Sequence, residues 1–111
     1  MLNVMPNNKY RVTVRAKTDT LRIGSALVVV NGGVMAIAGY NYSILPTHEL
    51  NCQSIVSCHD LATNTWKVNL PKLNHPRFGA SACFLANHVF VFCGRGLFYQ
   101  MLNSIEKIKA V

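Results

Sequence analysis

One hundred and eleven residues allow one small domain and leave little room for a second. Half of the residues are apolar and 14% are charged, which excludes a disordered tail or a solubilising linker. Eleven Lys and Arg against four acids give +7 at pH 7, a balance that favours acidic partners and fixes no fold.

Residues 1–9 have no apolar run of the kind a secretory leader needs, and they read as an unstructured N-terminus. A cytoplasmic, reducing location with four free thiols (Cys52, Cys58, Cys83, Cys93) is therefore expected. Lys9, Arg11, Arg15, Lys17 and Arg22 follow, opposed only by Asp19. Arg11, Thr13 and Arg15 alternate with Val12 and Val14, which predicts a strand over Tyr10–Val14 with one wet face. Ile23 to Leu45 is uncharged and long enough for a membrane helix. Asn31-Gly32-Gly33 at its centre, between β-branched runs, predicts a hairpin with a three-residue turn instead.

The chain then repeats itself. Arg22-Ile23-Gly24 matches Arg77-Phe78-Gly79 at an offset of 55, and the match runs without a gap to Gly39 and Gly94. Each unit reads Arg-x-Gly, small residues, strand, turn, strand, Gly. Ser54–His59 resembles Ser104–Ile108 at an offset of 49 or 50. Strands are expected near 25–30, 34–38, 54–59 and 65–69, then near 80–85, 89–93 and 104–109. Four-stranded units of about 50 residues have the size of a propeller blade.

These residues resemble Kelch repeats. Arg22, Gly39, His59-Asp60 and Trp66 fit one unit of that family, and Arg77 and Gly94 fit the next. The family's Gly pair is reduced to one residue in each unit, with Ala38 and Cys93 in the first place. The resemblance implies an all-β fold, a partial Kelch-type β-propeller of four-stranded antiparallel blades. It would divide the chain into the last strand of one blade (10–21), a full blade (22–76) and a partial blade (77–111). Arg22, Gly24, Gly39, Asp60, Trp66, Arg77, Gly79 and Gly94 would be its structural motif residues. Inner strands buried on both faces would account for continuous apolar runs such as Ala26–Val30 and Val89–Cys93. Trp66 would fill space between neighbouring blades.

Chemistry is sparse. Asp19, Glu49, Asp60 and Glu106 are far apart in sequence, and neither a phosphate-binding Gly loop nor a G-x-S-x-G elbow occurs. The spacing of His48, Cys52, Cys58 and His59 matches no common zinc motif, so no metal and no cofactor is expected. Cys83 or Cys93 with His88 or His59 would make a thiol-dependent enzyme, but apolar runs predict that both cysteines are buried and inert. The basic segment, as a nucleic-acid-binding β domain, rests on net charge alone. Recognition is better placed on the loops Tyr40–Gln53 and Gly96–Leu102, with Tyr40, Asn41, Tyr42, His48, Arg95, Phe98 and Tyr99 as candidate contacts. The family implies a non-enzymatic protein–protein interaction module with a protein partner, of the substrate-recruiting adaptor or cytoskeleton-associated kind, and the hairpin reading of Ile23 to Leu45 implies no membrane. Two blades fall short of a closed propeller. The chain then reads as a fragment of a longer protein or as a unit that self-associates to complete the ring.

Overall fold

The computed structural model describes residues 4–5, 9–13, 15, 22–42, 50–68, 70–96 and 100–109. Its strands are β1 (Val4–Met5), β2 (Lys9–Tyr10), β3 (Ala26–Val30), β4 (Gly33–Tyr42), β5 (Leu50–Asp60), β6 (Thr65–Lys67), β7 (Ser81–Leu85), β8 (His88–Phe92) and β9 (Ile105–Lys109). All pairings are antiparallel. β3 to β6 form one four-stranded meander, β7 to β9 form a three-stranded one, and β1 pairs with β2 apart from both. No helix among the described residues is long and apolar enough to cross a membrane.

Turn chemistry sets the two leading hairpins. Val30 pairs with Gly33 and Leu85 with His88, so Asn31-Gly32 and Ala86-Asn87 are two-residue turns. The third residue of the expected turn already belongs to the returning strand. Ala86 and Asn87 both take positive φ (51° and 61°), the combination whose twist suits a tight hairpin.

Both hairpins close on the same backbone device. Ala38 and Cys93 each have φ 58°, and the glycines after them, Gly39 and Gly94, have φ 106° and 92°. A Cβ on Gly39 would meet Ser25 Oγ at 2.6 Å, and one on Gly94 would meet the Phe78 carbonyl at 2.7 Å. Close approach as well as φ demands glycine at both places. Pairing of β4 with β5 slips at this point and then resumes, with Tyr40 opposite Cys52 and Tyr42 opposite Leu50. The stretch expected as a loop from Tyr40 to Gln53 is thus strand at both ends, because a bulge redirects β4 without ending its ladder.

Register also settles the alignment of the third strands. Val34 faces His59 and Val89 faces Ile108, which makes their offset 49.

The core lies between the two sheets. Ala26, Val30, Met35, Ile37 and Val56 on the first pack with Val89 and Val91 on the second, joined by Leu73 from the crossing segment. Backbone bonds fasten the sheets directly: Gly39 N donates to Arg77 O (2.8 Å), Arg77 N to Gln53 O (3.0 Å) and Gly79 N to Gly24 O (2.9 Å).

Two expectations fail here. The strand over Tyr10–Val14 shrinks to Lys9–Tyr10, which finds its partner in β1 inside the stretch expected to be unstructured. Arg11, Val12 and Thr13 are exposed and outside any strand, and Val14 lies outside the described residues. Burial of the inner strands on both faces holds for β4, where Met35, Ala36 and Ile37 are all buried, and fails for β3, where Leu27 is 65% and Val29 71% exposed. The face that Leu27 and Val29 share with Ala36, Ser57 and His59 is open at β3 and covered farther in, where Ala36 is 3% and Ser57 0% exposed and Arg22 bonds across it.

Candidate interaction surface

Two arginines at matching positions staple the third strands. Arg77 is fully buried; its Nη1 donates to the carbonyls of Cys93 (3.0 Å) and Ser104 (3.1 Å), and its Nη2 to Ser104 Oγ (2.9 Å) and Glu106 Oε2 (2.7 Å). Arg22 reaches the corresponding acceptors, the Ile55 carbonyl (3.0 Å) and Ser57 Oγ (3.1 Å). Ser57 opposes Ala36 as Glu106 opposes Val91, so a neutral hydroxyl replaces a carboxylate at the same place.

Glu106 is the functional side chain that sequence reasoning missed, since it stood there only as one of four scattered acids. Its position one residue inside β9, at the 49-residue offset from Ser57, was the available signal. Burial pulls its carboxyl pKa up, but backbone N–H groups of Asn74 and His75 and the Arg77 guanidinium outweigh this and hold it below the ordinary range. Arg77 and Glu106 therefore form a desolvated ion pair that locks the crossing segment onto β9.

The remaining motif residues are architectural. Asp60 Oδ1 accepts from Ala62 N (3.0 Å) and shapes the turn between β5 and β6. Gly24 and Gly79 take φ 70° and 67° before each hairpin. Trp66 lies against His59 with ring centroids 5.1 Å apart, and His59 Nε2 bonds Asn64 Oδ1 (3.0 Å). Trp66 sits on the outer face of the first sheet, where it lines a cavity of about 570 Å³ with Arg15, Arg22, Leu27, Val34 and His59.

Cys83 and Cys93 are exposed, contrary to the burial expected for them. Strand alternation in β7 turns Cys83 outward with Ser81 and Leu85, and Cys93 follows the end of β8. Cys52 and Cys58 are the covered thiols, and burial raises the pKa of both. His88 Nδ1 lies 2.8 Å from the Ala86 carbonyl, so local turn geometry engages one of its ring nitrogens. Among the described residues, no three of His, Cys, Asp and Glu come together; His48 lies outside them. The basic segment is tethered where it is described: Arg15 Nη2 donates to Leu61 O (3.2 Å) and its carbonyl accepts from Asn64 (2.9 Å). Lys17 and Asp19 lie outside the described residues.

The two segments expected to carry recognition meet at one end of the sheets. Cys52 Sγ is 4.0 Å from the Arg95 carbonyl, and the Tyr40 and Phe78 rings meet edge to face at 4.9 Å. Arg95 bridges to Phe78 on one side and to Met101 on the other, closing the second loop over a cavity of about 310 Å³. Exposed Arg95, Ile23 and Met101 stand at this end, and Asn41 Oδ1 accepts from Gln53 (3.5 Å). Tyr42 is placed in β4, whereas Phe98 and Tyr99 lie outside the described residues. No family model matches the chain, and no curated protein resembles it closely enough to count as a relative.

Proposed function

We propose that the chain is a protein-interaction module of two Kelch-type blade units that binds a partner protein through this loop end. The observation that carries the reading is the 4.0 Å approach of Cys52 to Arg95, which sets the bases of both long loops side by side. Loops held together on rigid sheets make one surface from two variable segments. The Kelch assignment is supported by the paired arginines, by the positive-φ glycines closing each hairpin, and by the meander order of the strands. Exposed Met101 and Arg95, at the end where Tyr40 packs on Phe78, offer the mixed apolar and cationic chemistry common at protein interfaces.

A photo-crosslinking amino acid placed at Asn41, at Met101 or at Lys72 tests this in cell extract. Capture of the same protein from Asn41 and Met101, and none from Lys72, is the expected result. Equal capture from all three positions, or none from any, would overturn the proposal.

A further inference from the structure

The internal interface of this molecule has two unmatched halves, and they lie on opposite outer faces. Inside the chain, Val28, Met35, Ile37 and Val56 of the first sheet face Phe84, Val89, Val91 and Ile108 of the second. At the offsets of 55 and 49, the covered face of the second sheet corresponds to the outer face of the first, which is open at Leu27 and Val29 and already covered at Ala36, Ser57 and His59. Ala82 and Phe84 answer to Leu27 and Val29, and Val89 and Val91 to Val34 and Ala36. The covered face of the first sheet corresponds in turn to the bare face of the second. Val28 and Val30 answer to Cys83 and Leu85, and Met35 and Ile37 to Phe90 and Phe92.

We infer that a second copy of this chain docks head to tail, with the bare face of its second sheet on the open Leu27 and Val29 side of the first sheet's outer face. The residues at stake are large and apolar yet open: Leu27 65%, Val29 71%, Leu85 65% and Ile105 58% exposed. A strand meant to keep one face in water alternates apolar with polar, whereas Ala26–Val30 is apolar on both faces. The fitting complement for each face is carried by the same chain, which selects a copy over an unrelated partner. Such an interface is heterologous, so copies close into a ring or extend as a chain according to the rotation between them.

Electrostatics gives the association a signature. Each copy carries +7, and on the second sheet's bare face Lys107 stands opposite Phe90 and Lys109 opposite His88. Apolar contact therefore works against like-charge repulsion, and added salt strengthens it by screening. Assembly bridged by a contaminating polyanion has the opposite salt dependence.

Light scattering of the 111-residue chain over a concentration series, at low and high salt, measures this directly. Leu27→Lys spoils one face and Leu85→Glu the other, and both side chains are exposed enough for the fold to survive, which circular dichroism checks. The wild-type chain is expected to form multimers that grow with concentration and salt. Each variant alone is expected to be a monomer, and an equal mixture a dimer, because each still has one intact face. A wild-type mass that stays monomeric, a variant that still assembles, or a mixture that fails to pair would overturn the inference. The loop-end reading is independent, since crosslinking from Asn41 and Met101 does not depend on either sheet face.

Discussion

Glu106 shows how one carboxylate fixes several elements at once. Its oxygens accept from Asn74 N, His75 N and Arg77 Nη2, so the crossing segment is held to β9 through a single side chain. Its folded pKa lies below the ordinary 4.5, which means that its stabilisation is fully present above about that pH. The stabilisation is lost as pH falls through the lowered folded value. Glu106→Gln is expected to cost roughly 2 kcal/mol at pH 7 in urea unfolding, with the gap from wild type closing in the acid limb. A gap that persisted unchanged at pH 3 would place the effect in packing instead. At Cys93 the backbone sets the outcome: its φ of 58° is costly for any residue with a Cβ. Cys93→Gly is expected to raise the thermal midpoint, whereas Gly94→Ala costs more than about 2 kcal/mol through strain and its clash with Phe78 O.

Strand staples distinguish the two sheets. Arg77 is fully buried against a carboxylate, and Arg22 is half-buried against a hydroxyl. Lysine keeps the charge but not the planar fork, so it cannot span two carbonyls and a side-chain acceptor together. Arg77→Lys should destabilise by roughly 3 kcal/mol and Arg22→Lys by about 1, read from denaturant midpoints of the two variants. Equal losses would show that the Ser57-for-Glu106 exchange is energetically silent. Each hairpin and its glycine were legible in the sequence because turn chemistry is local: two residues with suitable φ suffice. The extension of β4 to Tyr42 was not legible, since it depends on pairing with Leu50–Gln53 across a bulge that no local signal marks.

The stacking of one sheet on the other divides the thiols of the molecule into two classes. Cys52 and Cys58 lie in the first sheet and are covered, whereas Cys83 and Cys93 are exposed. In dilute native protein two thiols should react rapidly with a disulfide reagent at pH 8, and the other two only on unfolding. Four fast thiols would mean that the sheets separate readily. The same stacking explains why the candidate surface was only half visible beforehand. Tyr40 and Arg95 could be singled out as loop residues, but their placement at one end of the sheets depends on Arg77 and Gln53 joining the two sheets through the backbone.

The 55-residue repeat, the hairpins, the paired arginines and the all-β class follow from the order of residues alone. They rest on short-range rules, namely turn geometry, alternation and the intolerance of crowded positive-φ sites for a side chain. Which apolar face is covered does not follow from those rules. Ala26–Val30 is apolar on both sides, and only the position of the second sheet leaves Leu27 and Val29 in water while Val30 is buried. Glu106 gained its role in the same way, because the Asn74, His75 and Arg77 donors reach it only once the crossing segment has folded over β9.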